Sequence, residues 1–287
     1  MNVRYIGVMQ GRLLPPEAGH FQCFPRERWK EEFELASRCG LDSIEWIYDV
    51  WGQDVNPLFL ERGEEQVRAL AQRHNVAVVS LCADYFMDKP LIRVTDHDRR
   101  DRTEHLSWLI GRCQQFGIAR MVLPFVDNSA IRSQQEMQEV TSVLGEALPL
   151  AAKYELEIHL ETSLPPRDFA ELLEKLPFSN LKVNYDSGNS ASLGYGVHEE
   201  LAAYGERIGS VHIKDRIRGG GTVPLGTGNA DIRGLLAGLH RLGYSGDLIL
   251  QVARGESGHE VDWVRSVREI VNGYLEAIRE RVHESAS

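Results

Sequence analysis

Polar and apolar residues alternate in four short stretches of the second half of the chain. In residues 210–216, His212 and Lys214 alternate with branched apolar residues, the period-two pattern of a β-strand with both polar side chains on one face. Three further stretches have this form and end on a polar side chain: residues 155–161 on Glu161, residues 181–186 on Asp186 and residues 247–251 on Gln251. The pattern predicts one site at one rim of a sheet.

Strands and amphipathic helices alternate along the rest of the chain as well. The predicted strands end near residues 8, 45, 82, 125, 161, 186, 213 and 251. The predicted helices lie near residues 25–40, 58–73, 96–116, 134–154 and 262–282, with another opening at Pro165-Pro166. Repeated strand–helix units imply parallel strands, and eight such units can close into a barrel. We therefore predict an α/β protein with a (β/α)8 TIM barrel, in a single domain over residues 1–287.

A doubly wound open sheet is the alternative arrangement for alternating strands and helices. It predicts a Gly-rich phosphate-binding turn after the first strand, and residues 7–11 lack the glycine spacing of that turn. In a barrel the active site lies at the carboxyl ends of the strands. Glu161, Asp186, His212 and Gln251 occupy those ends on four successive strands, so the barrel also accounts for their positions.

Composition narrows the classes of partner. The 287 residues carry a formal charge of -10, from 32 basic and 42 acidic side chains, which argues against a nucleic-acid backbone as the main partner. The sequence contains no run of eighteen apolar residues, so it predicts no membrane span. The N-terminus lacks the pattern of a signal peptide. Four scattered cysteines without metal-ligand spacing are typical of reduced, buried thiols: Cys23, Cys39, Cys82 and Cys113. We therefore expect a cytoplasmic protein.

The residues at the strand ends resemble those of a known family. Glu, Asp and His stand in this order at the ends of strands five to seven, as Glu161, Asp186 and His212. This order resembles that of the strand-end residues in the xylose-isomerase-like TIM barrel superfamily, and most of all in its sugar-phosphate isomerase/epimerase group. Three segments carry the resemblance: His212-Ile213-Lys214-Asp215, residues 223–228 (VPLGTG) and Asp186-Ser187-Gly188-Asn189. The resemblance covers essentially the whole chain and implies a metal-dependent sugar isomerase or epimerase.

The same resemblance implies a metal site and a catalytic residue. One divalent ion (Mn, Zn, Co, Fe or Mg) is expected on Glu161, Asp186, His212 and Gln251, with Glu161 also acting as the acid or base. Gln251 departs from the family pattern, which has a second Glu here as metal ligand and second acid/base. A Gln offers a carbonyl oxygen to a metal but cannot accept a proton near neutral pH. The ligand set therefore has one negative charge fewer, which should weaken its affinity for a divalent cation.

Further residues near the strand ends are candidate contacts for a substrate. They are Lys214, Arg216, Asn189, Glu45 and Arg12. Lys214 and Arg216 are of a type that binds phosphate or hydroxyl groups, and their alternative role is an ion pair with Asp215.

The resulting functional hypothesis is proton transfer next to the carbonyl of a sugar, keto-sugar or sugar phosphate. Because of Gln251, a sugar dehydratase or lyase and a non-catalytic sugar-binding barrel remain as alternatives. A phosphodiester-cleaving endonuclease, also found in the superfamily, needs additional His and Glu ligands and a basic groove, which the charge of -10 disfavours. The expected partner is a small sugar rather than nucleic acid or a membrane, and a homo-oligomer is compatible with the sequence.

Overall fold

Eight parallel strands close into a barrel in the computed structural model, which describes residues 1 and 3–285. Around the barrel the strands follow their order in the chain, and the last pairs with the first. They are β1 (Ile6–Met9), β2 (Ser43–Ile47), β3 (Ala77–Cys82), β4 (Arg120–Phe125), β5 (Glu157–Thr162), β6 (Leu181–Asp186), β7 (Ile208–Ile213) and β10 (Asp247–Leu250). The predicted TIM barrel is confirmed.

Helices follow the strands and cover the outside of the barrel. They are α1 (Glu31–Arg38), α2 (Gly63–His74), α3 (Tyr85–Asp88), α4 (Asp96–Phe116), α5 (Gln134–Lys153), α6 (Pro166–Lys175), α7 (Ser187–Leu193), α8 (Val197–Tyr204), α9 (Ile232–Arg241) and α10 (Glu260–Ser285). Their apolar faces and the outward residues of the strands form one continuous buried core. Side chains on the opposite faces of the strands point into the barrel, where polar groups lie.

Local capping explains why α4 and α5 lie within a residue of their predicted bounds. The Thr95 side chain accepts a hydrogen bond from the Asp98 backbone N–H at the start of α4, and Gly117 ends that helix with φ of 72°. Ser133 caps α5 in the same way, through the backbone N–H of Glu136. Both caps are of the Ser/Thr type that commonly begins a helix.

The helix predicted at residues 58–73 begins later, at Gly63. Arg62 has the left-handed backbone conformation, with φ of 58°, so a right-handed helix cannot extend back through it. A Cβ at Gly63 would lie 2.0 Å from the Pro57 carbonyl oxygen, so the first residue of α2 must be Gly. The turn at residues 58–62 reflects this close approach of two backbone segments.

Short elements between the main ones were not predicted. A two-stranded antiparallel ribbon, β8 (Asp215–Arg216) and β9 (Thr222–Val223), follows β7. Helices α3, α7 and α8 are also short, with four to eight residues each. Their sequences are too brief to show a clear period.

A buried ion pair closes the amino-terminal end of the barrel. Arg120 at the start of β4 and Asp247 at the start of β10 approach to 2.5 Å, with side chains 4% and 1% exposed. Each charge is far from solvent, so removing either partner would leave the other uncompensated. This pair forms the floor of the barrel interior.

The four cysteines are buried and free, as the sequence analysis expected. Within the described part of the chain, no helix has the length and apolar character needed to cross a membrane.

Glu32 on α1 is a buried carboxyl beneath the loop that follows β1. It is inaccessible to solvent, and its Oε1 accepts a hydrogen bond from the Gly11 backbone N–H at 2.6 Å. Burial raises the pKa of Glu32 to about 8, so the folded protein holds a proton there in neutral solution.

We expect Glu32→Gln to become more stable relative to the wild type as pH rises. The folded pKa lies above the unfolded one, so the wild type loses unfolding free energy between about pH 4.5 and pH 8, whereas Gln does not titrate. The relative gain between pH 5 and pH 8 should be on the order of 2–4 kcal/mol. Urea unfolding at both pH values measures it, with exposed Glu34→Gln as the control. An unchanged difference between the two pH values would contradict the prediction.

Candidate metal centre and active site

Three side chains with metal-ligand chemistry meet at the carboxyl ends of neighbouring strands. Glu161, Asp186 and His212 each offer one ligand atom, and these atoms lie within 4.8 Å of one another. Asp186 and His212 are direct partners in the register of β6 and β7, so strand pairing itself sets their separation. All three are buried. The structure thus brings together three of the four strand-end residues that periodicity singled out.

The orientation of His212 is set by Glu45, which reaches it across the barrel interior from β2. Glu45 Oε1 lies 2.6 Å from His212 Nε2, and both side chains are inaccessible to solvent. Burial lowers the pKa of His212, but the nearby carboxylates of Glu45 and Glu161 outweigh it and raise the pKa to about 10. With this pKa the ring carries a proton on both nitrogens in neutral solution, and Nε2–H donates to Glu45. A divalent cation would take the place of the Nδ1 proton and leave the Nε2–H bond to Glu45 intact.

His212 Nδ1 is the ring nitrogen that faces the other ligands. It lies 3.4 Å from Glu161 Oε2, and no group in the described residues makes a hydrogen bond to it. A buried polar atom without a partner is costly unless a ligand satisfies it. The free Nδ1 therefore fits a metal ligand.

Glu161 is held by two side-chain amides. Asn184 Nδ2 donates to Oε2 at 2.9 Å, and Asn189 Nδ2 donates to Oε1 at 2.6 Å. These bonds fix the direction of both carboxylate oxygens while leaving a lone pair on each. Asn189 is thus brought to the site, in contact with the candidate catalytic residue.

A series of hydrogen-bonded side chains continues from Glu161 into the barrel. This series, called the interior chain, consists of Glu161, Asn184, Ser210 and His159. His159 Nδ1 lies 2.7 Å from Ser210 Oγ, and Ser210 Oγ donates to Asn184 Oδ1 at 2.7 Å. His159 Nε2 lies 3.1 Å from Glu157 Oε2 at the start of β5. Since hydroxyl and amide groups have defined donor directions, the chain transmits the position of His159 to Glu161.

Asp186 has its two oxygens in different roles. Oδ1 accepts hydrogen bonds from the backbone N–H groups of Gly188 and Asn189, at 2.9 and 2.8 Å, and so caps α7. Oδ2 lies 3.2 Å from Lys214 Nζ. One oxygen therefore anchors the residue, and the other faces the centre.

Lys214 and Gln251 lie beside the three ligand-type residues. Lys214 Nζ is 3.2 Å from Gln251 Oε1 as well as from Asp186 Oδ2, and its side chain is 12% exposed. Gln251 follows β10 and directs its amide oxygen toward the same space as Asp186 Oδ2. The ammonium group thus lies between two oxygens that the sequence analysis assigned to a metal.

Arg216 reaches the site through Asn189. Its Nη1 donates to Asn189 Oδ1 at 2.8 Å, and its Nη2 donates to the Gly220 carbonyl at 2.8 Å. Neither Arg216 nor Lys214 forms an ion pair with Asp215. Asp215 instead accepts hydrogen bonds, each of 2.9 Å, from the backbone N–H groups of Gly226, Gly228 and Ala230, which shapes the loop after β9.

Arg12 holds the β1–α1 loop, residues 10–30, against the strand ends. Its guanidinium donates to the carbonyls of Val252 and Phe21 and to Gln22 Oε1, at 3.1, 3.2 and 2.9 Å. The side chain is 3% exposed, and burial with the nearby charge of Arg254 lowers the pKa of Arg12 to about 9.

The sequence analysis did not identify two residues of the site, Gln22 and Asp84. Gln22 Nε2 donates to Asp84 Oδ2 at 2.7 Å, and Gln22 Oε1 accepts from Gln251 Nε2 at 3.0 Å. Asp84 lies two residues beyond the end of β3, outside the alternating pattern that marked Glu161, and a search of the residues just after each strand would have found it. Gln22 lies in a loop without periodicity and gave no signal.

The donor set fits a divalent cation. Two carboxylates, one imidazole and a nearby amide oxygen suit Mn, Zn, Co or Fe, and the oxygen donors also suit Mg. The unpartnered Nδ1 of His212 is the observation that favours a metal over a purely hydrogen-bonded cluster.

Comparisons with known proteins find sequence relatives and solved structures of the same fold. The L-ribulose-5-phosphate 3-epimerase UlaE of Salmonella paratyphi C (strain RKS4594) is 26% identical over 257 residues, covering 84% of this chain and 90% of that protein. A solved structure of L-ribulose 3-epimerase superposes with a TM-score of 0.77 at 16% identity, covering 100% and 99% of the two chains. The IOLI protein with a binding zinc atom gives a TM-score of 0.75 at 17% identity, covering 94% and 99%.

A protein-family model matches most of the chain and assigns it to a family. The model described as Xylose isomerase-like TIM barrel matches residues 33–270, which include β2 to β10 and the three ligand-type residues. The match covers most of the chain, and the resemblance carried by the strand-end residues is confirmed. The chain belongs to the xylose isomerase-like TIM barrel family.

Proposed function

We propose that this protein is a metal-dependent enzyme that epimerises a keto sugar at the carbon next to its carbonyl group. The observation that carries the proposal is the arrangement of Glu161, a carboxylate fixed by two amides, beside Asp186 and the unpartnered nitrogen of His212. A relative and a structural neighbour named as 3-epimerases of ribulose or its phosphate support the same reaction class.

Glu161, Asp186 and His212 would hold the metal ion, with the Gln251 amide oxygen as a fourth donor. A divalent ion supplies positive charge to the substrate oxygen that becomes negative as the neighbouring C–H bond breaks. Glu45 keeps His212 in the tautomer that binds through Nδ1.

Glu161 would take the proton from the carbon. Its two amide contacts leave free lone pairs and hold the carboxylate in one position, so little reorganisation is needed when the substrate arrives. Lys214 Nζ lies between Asp186 and Gln251 and can donate to a substrate oxygen in that space. Asn189 links Glu161 to Arg216 and therefore positions both residues at the sugar.

Gln251 favours a second candidate, one-base isomerisation. A Gln cannot exchange a proton, and Glu161 alone can move a proton between adjacent carbons on one face of a keto sugar. Product analysis separates the two reactions, since epimerisation inverts one carbon and isomerisation moves the carbonyl group.

We expect Asp186→Ala to abolish binding of one Mn²⁺ per chain, and Glu45→Gln to weaken it by about 10–100-fold, as loss of a partner behind a metal-binding His typically does. Calorimetric titration of metal-free protein measures both effects. The exposed Glu174→Gln on α6 removes the same charge away from the site and serves as the control. Equal affinity in wild type and Glu45→Gln would show that Glu45 does not support the ligand.

We expect Glu161→Gln to abolish exchange of the substrate's carbon-bound hydrogen with D₂O, because the amide cannot accept the proton. The protein is loaded with Mn²⁺ and screened with keto sugars and their phosphates, and deuterium is located by NMR. Substrate binding should persist in the variant, which excludes loss of folding as the cause. Exchange at the wild-type rate would place the base elsewhere.

A further inference from the structure

A second carboxyl lies at the rim of the barrel, on the side opposite to β6 and β7. Asp84 follows β3 and is 7% exposed. Its Oδ1 accepts a hydrogen bond from the Cys82 thiol at 3.0 Å, and its Oδ2 accepts one from Gln22 Nε2 at 2.7 Å. Each oxygen keeps one lone pair. The carboxyl is therefore held in place and retains the capacity to exchange a proton.

Epimerisation requires two proton-transfer groups, one on each face of the reacting carbon. One group removes the proton and the other returns one to the opposite face, so that the configuration inverts. Glu161 supplies one group. Gln251 cannot supply the second, because an amide does not titrate near neutral pH.

We propose that Asp84 is the second acid/base of the epimerisation, a role that rests on the function proposed above. In this assignment the carboxyl absent from position 251 is replaced by the carboxyl two residues after β3, and the substrate's reacting carbon lies between Glu161 and Asp84.

The hydrogen bonds of Gln22 connect the two positions. Gln251 Nε2 donates to Gln22 Oε1 at 3.0 Å, and Gln22 Nε2 donates to Asp84 Oδ2 at 2.7 Å. The Asp84 carboxyl is thus separated from Gln251 by a single side-chain amide. Gln22 is half-buried and lies on the β1–α1 loop, so a substrate hydroxyl group can take the place of its N–H beside Oδ2.

The electrostatic setting of Asp84 supports the assignment. Burial raises the pKa of Asp84 to about 6, against the opposing hydrogen bonds of Gln22 and Cys82, and the charges of Asp49 and Glu161 contribute to the increase. A carboxyl whose pKa approaches neutrality serves well as both acid and base.

Every proton that is removed or delivered is accounted for in both directions of the epimerisation. Glu161, as the carboxylate, takes the hydrogen of one epimer, and the C–H electron pair moves toward the carbonyl to give an enediolate. Asp84, as the carboxylic acid, delivers a proton to the other face, which forms the new C–H bond and restores the carbonyl. Exchange with solvent returns each carboxyl to its starting state. The opposite epimer reacts with the two roles reversed.

The test is Asp84→Asn, loaded with Mn²⁺ and incubated in D₂O separately with each of the two epimers that the wild type interconverts. Epimer formation should fall by about 10²–10⁴-fold, the usual contribution of one acid/base group. The epimer whose hydrogen faces Glu161 should still exchange that hydrogen for deuterium, whereas the other should not. The exposed Asp88→Asn on α3 removes a nearby charge and is the matched control.

A second variant distinguishes a chemical role from a structural one. Adding Gln251→Glu to Asp84→Asn places a carboxyl on the last barrel strand, and epimer formation should recover by at least tenfold over the single variant. A packing defect at Asp84 would not respond in this way. Metal stoichiometry is measured in every variant, so that loss of the metal site is recognised separately.

Three outcomes would overturn the assignment. Epimer formation by Asp84→Asn at the wild-type rate would do so, and so would loss of exchange from both epimers in a variant that still binds Mn²⁺. Failure of Gln251→Glu to restore any epimer formation is the third. A wild type that exchanges hydrogen from no keto sugar would instead overturn the proposed function, and this assignment with it.

Discussion

The contact between Glu45 and His212 is the interaction on which the centre depends. Both side chains are inaccessible to solvent, so the close contact between them offsets part of the cost of burying each polar group. Because Glu45 takes Nε2, Nδ1 is left facing Glu161 and Asp186. The strand pairing of β6 and β7 fixes where His212 lies, and Glu45 fixes which of its two nitrogens is available.

The barrel interior is built from polar groups that satisfy one another in layers. Arg120 and Asp247 form the floor, the interior chain spans the middle, and Glu161, Asp186 and His212 form the rim. Their packing leaves each group few alternative partners. The rim carboxylates are consequently held by neighbours within the barrel, while the β1–α1 loop, fixed by Arg12, contacts Gln251 and Asp84 through Gln22.

Periodicity was sufficient to predict the barrel and the three ligand-type residues, because strand parity and strand ends are local properties of the sequence. Glu161, Asp186 and His212 could be assigned to one rim without knowledge of any distance. Gln22 could not, since its position depends on the fold of a loop that Arg12 holds in place. Asp84 was overlooked because β3 ends on Cys82, and the polar residue comes only after the strand. The start of α2 depends on how closely Gly63 approaches Pro57, which no local pattern encodes.

Because of the interior chain, the effect of a substitution at one of its positions depends on the residues at the others. His159 lies well below the rim, yet it shares hydrogen bonds in series with Glu161 through Ser210 and Asn184. A substitution at one member changes what its neighbours tolerate, so their effects will not add. Divergence of this family in the middle layer and at the rim should therefore proceed by paired replacements. Directed evolution that randomises rim residues alone would sample only part of the accessible variation.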